Sequence, residues 1–594
     1  MKVVLSGNEA VARGFYEAGG RFASAYPGTP STEVLEAIAK FDEIIAQWAP
    51  NEKVAVEVAA GASLGGARAL AVMKHVGLNV AADPLFSLSY MGVNGGFVIM
   101  TADDPGMHSS QNEQDNRWYA KAAKLPLLEP SDSQEARDFT IQAFEISESF
   151  DTPVLLRTTT RVSHSKSVVL TGERIDVPLK PYRKELTKNV LLPSTGRLRH
   201  PVVENRLKKL RAFSTVSGLN WVDWGDRKIG IITNGIAYQY AREVMPGASY
   251  LKLGMTYPLP EKLIKEFAEG VETLYVIEEL DPFIEEQVRM LGIKVTGKEK
   301  VPGIGELNPD IVSAALLDRM LAEDDFQKSE LKLPERSPVL CAGCSHRGVF
   351  WALKKLRVTV MGDIGCYTLG ALPPLNAMDS CLNMGASVGM AEGMVKVNPE
   401  KFQKKLVGII GDSTFIHSGI TSLIDMVYNR GITTVIILDN RITAMTGHQE
   451  NPASGITLQH EQTKPLDLTK LSEAIGIRRV RKIDPYNLKE TTAVIREEMQ
   501  SPEPSVIIAD APCVLYEKLK LGPVYYVDQE KCVACDLCYK IGCPALVPGP
   551  NGRKPVIDPL SCIGCDQCAQ VCNLDAILPE DLTFDNLARR GRSG

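Results

Sequence analysis

Aromatic residues are scarce in this chain: Phe, Trp and Tyr together make up 6% of its 594 residues. A core with so few rings has to be built from Ala, Val, Ile and Leu with abundant Gly, which is the habit of globular α/β enzymes. Long apolar runs are also missing. None reaches the ~18 residues that a helix needs to cross a bilayer, so no membrane association is expected. Positive charge is not in excess, with 66 Lys and Arg against 72 Asp and Glu. A net charge of −6 provides no global basic field for nucleic acid. The opening residues, Met1 to Gly7, lack a signal peptide's apolar segment and run straight into a fold-like pattern. The expectation is a cytoplasmic protein. Cysteine is absent before Cys341, and eight of the thirteen lie between Cys532 and Cys572. Such crowding at one end of a large chain argues for metal rather than a disulfide framework. The length suggests about four domains.

What is present is most informative over residues 406–449. A short apolar run, Leu406–Ile410, reads as a buried strand, followed by Gly411, Asp412 and Ser413. A helix is expected over Ser418–Asn429, capped by Gly431, and a second buried strand over Thr434–Leu438 ends at Asp439-Asn440. In a parallel β-α-β unit both strand ends face one side, so Asp412 and Asn440 can meet. A carboxylate and a carboxamide there suit Mg²⁺, which completes its octahedron with ligand phosphates. The amides after Asp412 can face a diphosphate at a helix N-terminus.

Residues 1–165 read as an α/β domain. Tyr26-Pro27-Gly28-Thr29-Pro30-Ser31 forms a rigid turn after a strand, where the Thr29 hydroxyl can face a ligand. Residues 51–70 are dominated by small side chains, with Glu52 and Glu57 among them. A carboxyl group buried in such a place has its pKa raised, because desolvation disfavours the charged form; a solvated helix face is the other use of either residue. The polar loop Gly106–Arg117 follows a strand read over residues 95–104, which ends in acidic residues. Arg117 could pair a substrate carboxylate bidentately, with a surface salt bridge as the alternative. Lys74-His75 is assigned only to the neighbourhood of the pocket. Residues 166–225 are basic without clean periodicity and read as a linker or arm, a solvated charged face being preferred to a contact with CoA phosphates. Residues 226–325 form a smaller α/β unit with no catalytic constellation.

Residues 335–515 surround the Gly411-Asp412-Ser413 stretch. They open with Cys341-Ala342-Gly343-Cys344-Ser345-His346, which by ligand type is half a zinc site without a second pair nearby in sequence. Gly362-Asp363-Ile364-Gly365-Cys366-Tyr367 follows another strand and is expected to line the same cleft. In residues 523–580, Cys532, Cys535, Cys538 and Cys543 are followed by Cys562, Cys565, Cys568 and Cys572. The spacing is that of two-cluster bacterial ferredoxins, in which the fourth Cys of each run ligates the other cluster. Cys532, Cys535, Cys538 and Cys572 are therefore assigned to one [4Fe–4S] cluster, and Cys562, Cys565, Cys568 and Cys543 to a second. The first run has four residues, not three, before Cys543, and Asn573 stands where Pro is usual. The extra residue is expected to distort or open the second cluster, with a [3Fe–4S] form as the alternative.

Gly411-Asp412-Ser413 with Asn440 resembles the thiamine-diphosphate motif, except that Ser413 replaces its second Gly. That resemblance implies Mg²⁺ held by Asp412, Asn440 and the Ile442 carbonyl. Glu52–Arg68 and Tyr26–Ser31 resemble segments of the ferredoxin-dependent 2-oxoacid oxidoreductases. In that register Glu52 is the acid that activates the aminopyrimidine ring, Glu57 its fallback, and Thr29 a contact to the 2-oxoacid carboxylate. Cys341, Gly343, Cys344 and His346 resemble the turn opening the family's diphosphate domain. Thr443 and Met445 lie in a segment similar to its Thr-Gly-x-Gln stretch. With Asp363, Gly411 and Ser413 these form the expected cofactor-binding set.

The domain order is pyrimidine-binding (1–165), arm (166–225), transketolase C-terminal-like (226–325), diphosphate-binding (335–515) and ferredoxin-like (523–580). Over nearly the whole chain it resembles the α subunits of the indolepyruvate:ferredoxin oxidoreductase family. The resemblance implies oxidative decarboxylation of aryl 2-oxoacids with CoA, giving arylacetyl-CoA and CO₂. Electrons would pass from the thiamine-bound enamine through the clusters to ferredoxin. It also implies a smaller β subunit carrying the γ-type domain, in an α₂β₂ or higher assembly. Another 2-oxoacid specificity, a non-oxidative thiamine-dependent decarboxylase, and an electron-transfer subunit with inactive thiamine domains are the alternatives.

Overall fold

The computed structural model describes residues 1–318, 337–550 and 552–580. The last residues of the expected third domain, 319–325, and the first two of the diphosphate domain, 335–336, lie outside the described residues. The chain divides into two compact units, Met1–Leu331 and Lys332–Gly594.

The first unit is built on a seven-stranded sheet. Its order is Met255–Tyr257, Leu127–Leu128, Val154–Thr159, Phe97–Asp103, Ala69–Lys74, Phe22–Ala25, Ile45–Trp48. All neighbours are parallel except the first pair. The central strands show no polar–apolar alternation because helices cover both faces. Phe97–Asp103 and Val154–Thr159 are buried at every position. Local signals start the flanking helices. Ser6 and Glu9 form a reciprocal capping box for Gly7–Glu17, and Asn51 accepts from Val54 N at the start of Glu52–Leu64.

A four-stranded sheet follows, ordered Thr273–Ile277, Asp226–Asn234, Ala248–Leu253, Asn220–Asp223, with only the last strand antiparallel. The short strand Met255–Tyr257 leaves this segment to pair with Leu127–Leu128 at the edge of the larger sheet. The 226–318 segment is thereby stitched to the first domain by backbone hydrogen bonds.

The basic stretch contains a 24-residue helix, Pro193–Val216, which sequence periodicity did not reveal. Pro201 lies inside it, and its buried face carries polar residues, so the 3.6-residue pattern is obscured. Three basic residues in and before this helix form neither a phosphate site nor a solvated face. Lys188 reaches Val93 O and Asp151, Arg199 reaches Tyr90 O and Asp151, and Arg206 reaches Ser89 O and Asp151 O. These acceptors lie at the ends of the helices Ala82–Met91 and Ser133–Phe150. Cations are favoured there because the last carbonyls of a helix have no intrahelical donor. Arg183, Lys184, Arg197, Lys208, Lys209 and Arg211 are exposed.

The second unit has a six-stranded, wholly parallel sheet in the order Ser380–Cys381, Thr359–Gly362, Leu406–Gly411, Thr434–Asp439, Ser505–Asp510, Arg479–Ile483. The helix after Leu406–Gly411 begins at Asp412, earlier than expected, and passes through a π-helical turn, Phe415–Gly419, into Ile420–Tyr428. The left-handed residue at its end is Arg430 (φ 59°), not Gly431. A Cβ on Gly431 would stand 2.6 Å from Met426 Cγ, so its lack of a side chain serves packing. Two small antiparallel pairs carry the cysteine-rich segment: Tyr525–Val527 with Ile577–Pro579, and Leu546–Pro548 with Pro555–Ile557. No helix among the described residues is long and apolar enough to cross a membrane.

Candidate active site

In the first unit the candidate residues gather at the carboxyl ends of Phe22–Ala25, Ala69–Lys74 and Phe97–Asp103, where a parallel sheet presents ligand crevices. Glu52 starts its helix and is 4% exposed. Its carboxylate lies against Gly77, where a Cβ would stand 2.6 Å from Glu52 Oε1. Glu57 is five residues on and points elsewhere, half exposed and ion-paired with Lys53 one turn away. Burial thus separates two acids that sequence left as alternatives. Thr29 is half-buried in the loop after Phe22–Ala25, and its carbonyl accepts from the Ser109 hydroxyl at 3.3 Å. Lys74 ends the next strand and donates to Ser109 O at 3.0 Å.

Arg117 does not reach this crevice, which corrects the expectation of a substrate clamp and equally that of a surface salt bridge. It is fully buried. Its Nε donates to Asp115 at 2.9 Å, and the terminal nitrogens donate to Asp115, Glu278, Glu279 O and Asp281 O. Burial opposes the charge, but the Asp115 and Glu278 carboxylates outweigh it and hold Arg117 above its ordinary pKa. The guanidinium ties the polar loop to the end of strand Thr273–Ile277.

In the second unit Asp412 is 3% exposed at the head of its helix, and parallel register sets Gly411 beside Leu438. Asp412 Oδ2 accepts from the Asn451 amide at 3.4 Å, and the Arg441 N–H also faces this carboxylate. Burial, with the nearby Asp439 carboxylate adding to it, pushes Asp412 up to about 8. A carboxylate so deeply buried beside another needs a cation to stay ionised, and the site's donor set is oxygen-rich as Mg²⁺ requires. Asn440 Oδ1 accepts from Ile442 N at 3.3 Å, which holds the chain past the strand in a tight turn. The Ser413 hydroxyl, where the related motif has glycine, is met by the Thr443 hydroxyl at 2.9 Å. Met445 is 51% exposed on the following loop. Asp363 serves as scaffold at the start of the neighbouring helix. Its buried carboxylate accepts from Ile364 N, Gly385 N and Ser387 N at 2.9–3.0 Å, which fixes the start of helix Ala386–Val397. Asn451 went unrecognised in the sequence because it carries no motif and only the return of the chain brings it to Asp412; Asp439, named in the sequence only as the end of its strand, is brought there by the parallel register.

Twelve of the thirteen cysteines, all but Cys381, fall into three neighbourhoods. Cys532, Cys535, Cys538 and Cys572 line one small pocket together with Val527 and Ile577. Burial pushes Cys565 up to about 11, with Cys543 and Cys562 adding to it. The Cys568 thiol is raised by burial and then by Cys565, Cys543 and Cys562. The fourth Cys of each run therefore neighbours the other run. The additional residue before Cys543 is absorbed by a 3₁₀ turn, Cys538–Ile541, closed by Gly542 in the left-handed region (φ 73°). Of the third neighbourhood the sequence showed only the Cys341-x-x-Cys344 pair, not its partners. Burial pushes Cys366 up to about 11, with Cys513 and Cys341 contributing, and Cys344 up to about 12, with Cys341 and Cys366 contributing. The partners missing from Cys341-x-x-Cys344 thus lie far along the chain, at Cys366 and Cys513. Among the described residues no three His, Cys, Asp or Glu side chains are arranged to hold a single metal ion. His346 is buried with its ring edge-on to Tyr367, and burial lowers it to about 4. Arg347 links two of these neighbourhoods. It donates to Cys341 O at 3.0 Å and Ile541 O at 3.2 Å, and to Leu340 O and Gly542 O.

A family model described as pyruvate flavodoxin/ferredoxin oxidoreductase, thiamine diphosphate-binding, matches residues 13–204. The C-terminal TPP-binding domain of thiamine pyrophosphate enzymes matches residues 363–509. Fold and site thus define a thiamine-diphosphate enzyme, an oxidoreductase of the 2-oxoacid:ferredoxin type. An indolepyruvate oxidoreductase subunit IorA from Archaeoglobus fulgidus is 41% identical over 97% of this chain and 97% of its own length. The IorA of Methanothermobacter thermautotrophicus is 40% identical over 98% and 97%. The chain belongs to the indolepyruvate oxidoreductase IorA family. The 2-oxoglutarate synthase subunit KorA of Methanothermobacter marburgensis is 26% identical over 46% of this chain and 87% of its own length. A solved 2-oxoglutarate:ferredoxin oxidoreductase from Magnetococcus marinus covers 53% of this chain and 65% of its own, with 17% identity and a TM-score of 0.44.

Proposed function

We propose that the chain is the α subunit of an indolepyruvate:ferredoxin oxidoreductase. It converts aryl 2-oxoacids and CoA to arylacetyl-CoA and CO₂ and passes electrons through iron–sulfur clusters to ferredoxin. A smaller β subunit carrying the γ-type domain completes it, in an α₂β₂ or higher assembly in the cytoplasm. Thiamine diphosphate, when bound, supplies the nucleophilic carbon and the electron sink for decarboxylation.

The chain's own residues do the rest. Glu52, buried at the crevice of the first unit, would hydrogen-bond the cofactor's aminopyrimidine nitrogen. Asp412, Asn440 and the Ile442 carbonyl hold Mg²⁺, and the amides opening the Asp412 helix face the diphosphate. Gly411, Ser413, Thr443, Met445 and the Cys341–His346 turn border that site. Thr29 offers its hydroxyl to the 2-oxoacid. Cys532, Cys535, Cys538 and Cys572 ligate one [4Fe–4S] cluster and Cys562, Cys565, Cys568 and Cys543 a second. Cys341, Cys344, Cys366 and Cys513 have the ligand number for a third cluster.

One observation carries this reading: thiols of the diphosphate domain and thiols of the ferredoxin-like segment adjoin within one compact unit, bridged by Arg347. Electrons leaving the thiamine site then have acceptors close by. The test is an anaerobic assay of the chain co-produced with its β subunit, following methyl viologen reduction by indolepyruvate. Dye reduction that requires CoA and is lost in Glu52→Gln supports the proposal. Release of CO₂ and aldehyde without dye reduction would establish the non-oxidative decarboxylase instead.

A further inference from the structure

Removing Arg117 from the crevice leaves a 2-oxoacid with a carboxylate to place, and the structure offers a different cation. Lys74 ends the strand Ala69–Lys74, between the strands that deliver the Thr29 loop and Asp104. Its aliphatic stem lies over Gly28, where a Cβ would stand 3.1 Å from Lys74 Cγ and 3.2 Å from Cδ. The side chain therefore runs along the Gly28-Thr29 turn and is half-buried. Its ammonium donates to one neutral acceptor, Ser109 O, and among the described residues it forms no ion pair.

The other charges at this edge of the sheet are already engaged. Arg117 is sequestered by Asp115 and Glu278, and Arg157 by Asp103 and Glu129. Arg161 and His108 are paired with Glu306. Asp104, just past the strand Phe97–Asp103, accepts from Ser109 N at 2.9 Å, from the Ser110 hydroxyl at 2.7 Å and from the Thr160 hydroxyl at 2.8 Å. Those neutral donors stabilise it in place, so it does not need the ammonium.

We propose that Lys74 is the substrate-binding cation of the first unit, receiving the carboxylate of the 2-oxoacid beside Thr29 and within the electrostatic reach of Glu52. The inference deepens the function proposed above and rests on it. A lysine suits the task because its point charge on a flexible stem can follow the carboxylate as CO₂ departs, whereas a forked guanidinium would hold it rigidly. Its environment also makes the binding pH-dependent. Burial lowers Lys74 from 10.5 to about 8, while Asp104, just past the strand Phe97–Asp103, and Glu52, on the helix Glu52–Leu64, pull it back up. The adjacent His75 is lowered to about 4, first by burial and then by Lys74, so it adds no competing charge near neutrality. The ammonium is charged below about 8, and carboxylate binding weakens as pH rises through that value.

The experiment uses the holoenzyme with its β subunit and compares wild type with Lys74→Met and Lys74→Arg. Three quantities are read: KM for indolepyruvate, inhibition by phenylacetate against the neutral phenylacetamide, and bound thiamine diphosphate. Lys74→Met is expected to raise KM and the phenylacetate inhibition constant roughly tenfold to a hundredfold. Phenylacetamide inhibition, thiamine content and melting temperature should be unchanged, with Lys74→Arg partly restoring KM. In wild type, KM should climb above pH 8, and that rise should vanish in Lys74→Met. An unchanged KM in Lys74→Met, equal weakening of both inhibitors, or loss of thiamine diphosphate would each overturn the assignment. A wild-type holoenzyme inert toward every 2-oxoacid would overturn the parent function instead, which keeps the two failures apart.

Discussion

Side chains of one type play opposite parts here according to burial. Glu52 and Glu57 share a helix, yet one is sealed against Gly77 and the other is solvated beside Lys53. Glu52→Gln is expected to lower turnover roughly 10²–10⁴-fold, the usual scale for removing a positioned proton carrier, with thiamine diphosphate still bound. Glu57→Gln should stay within about twofold, since an exposed i,i+4 pair contributes little. Steady-state assays on the two variants check both. Arg117 illustrates the converse. Replacing it with Met leaves Asp115 and Glu278 buried without their cation, which costs about 3–5 kcal/mol. Chemical denaturation should show that loss, while KM of the protein that remains folded stays within about twofold; a selective rise in KM at unchanged stability would return Arg117 to the substrate.

At the scale of elements, the arm shows how basic residues can serve secondary structure. Lys188, Arg199 and Arg206 converge on the carbonyl ends of two helices that would otherwise present unpaired acceptors. Arg206 is the deepest of them, 4% exposed, and bonds Ser89 O and Asp151 O. Arg206→Ala should destabilise the fold by roughly 2–4 kcal/mol through those two carbonyls, measured as a shift in the denaturation midpoint. Lys208 and Lys209, on the same helix, are exposed, and their alanine variants should leave that midpoint where it is. The cysteine run tolerates its extra residue for a reason of the same scale. A 3₁₀ turn and one left-handed glycine take up the added length, so Cys543 still arrives beside Cys565 and Cys568.

At the scale of the whole molecule, the proposed chemistry needs more than this chain. Purified alone it should show little CoA-dependent dye reduction, restored by adding the β subunit; full turnover without a partner would contradict the subunit assignment. Its metal content is also predictable. Three four-iron clusters give on the order of twelve iron atoms per chain, and replacing Cys366 and Cys513 with Ser should remove about four of them while leaving the ferredoxin-like pair intact by electron paramagnetic resonance. Iron near about eight atoms in the wild type would restrict the clusters to the ferredoxin-like segment.

The sequence by itself determined what local pattern can determine. The strands Leu406–Gly411 and Thr434–Asp439 were legible because both are continuous apolar runs ending in polar residues, and Thr273–Ile277 for the same reason. The eight clustered cysteines were legible because their ligands are close together in the chain. Only the tertiary structure decided what depends on distant residues meeting. It buried Glu52 and exposed Glu57, and it withdrew Arg117 to carboxylates including Glu278, 161 residues away. It turned Asp363 toward backbone amides and brought Cys366 and Cys513 to Cys341. A residue's type and spacing set which bonds it is able to make. Which of them it does make depends on the desolvation and the partners supplied by chain folded back from elsewhere.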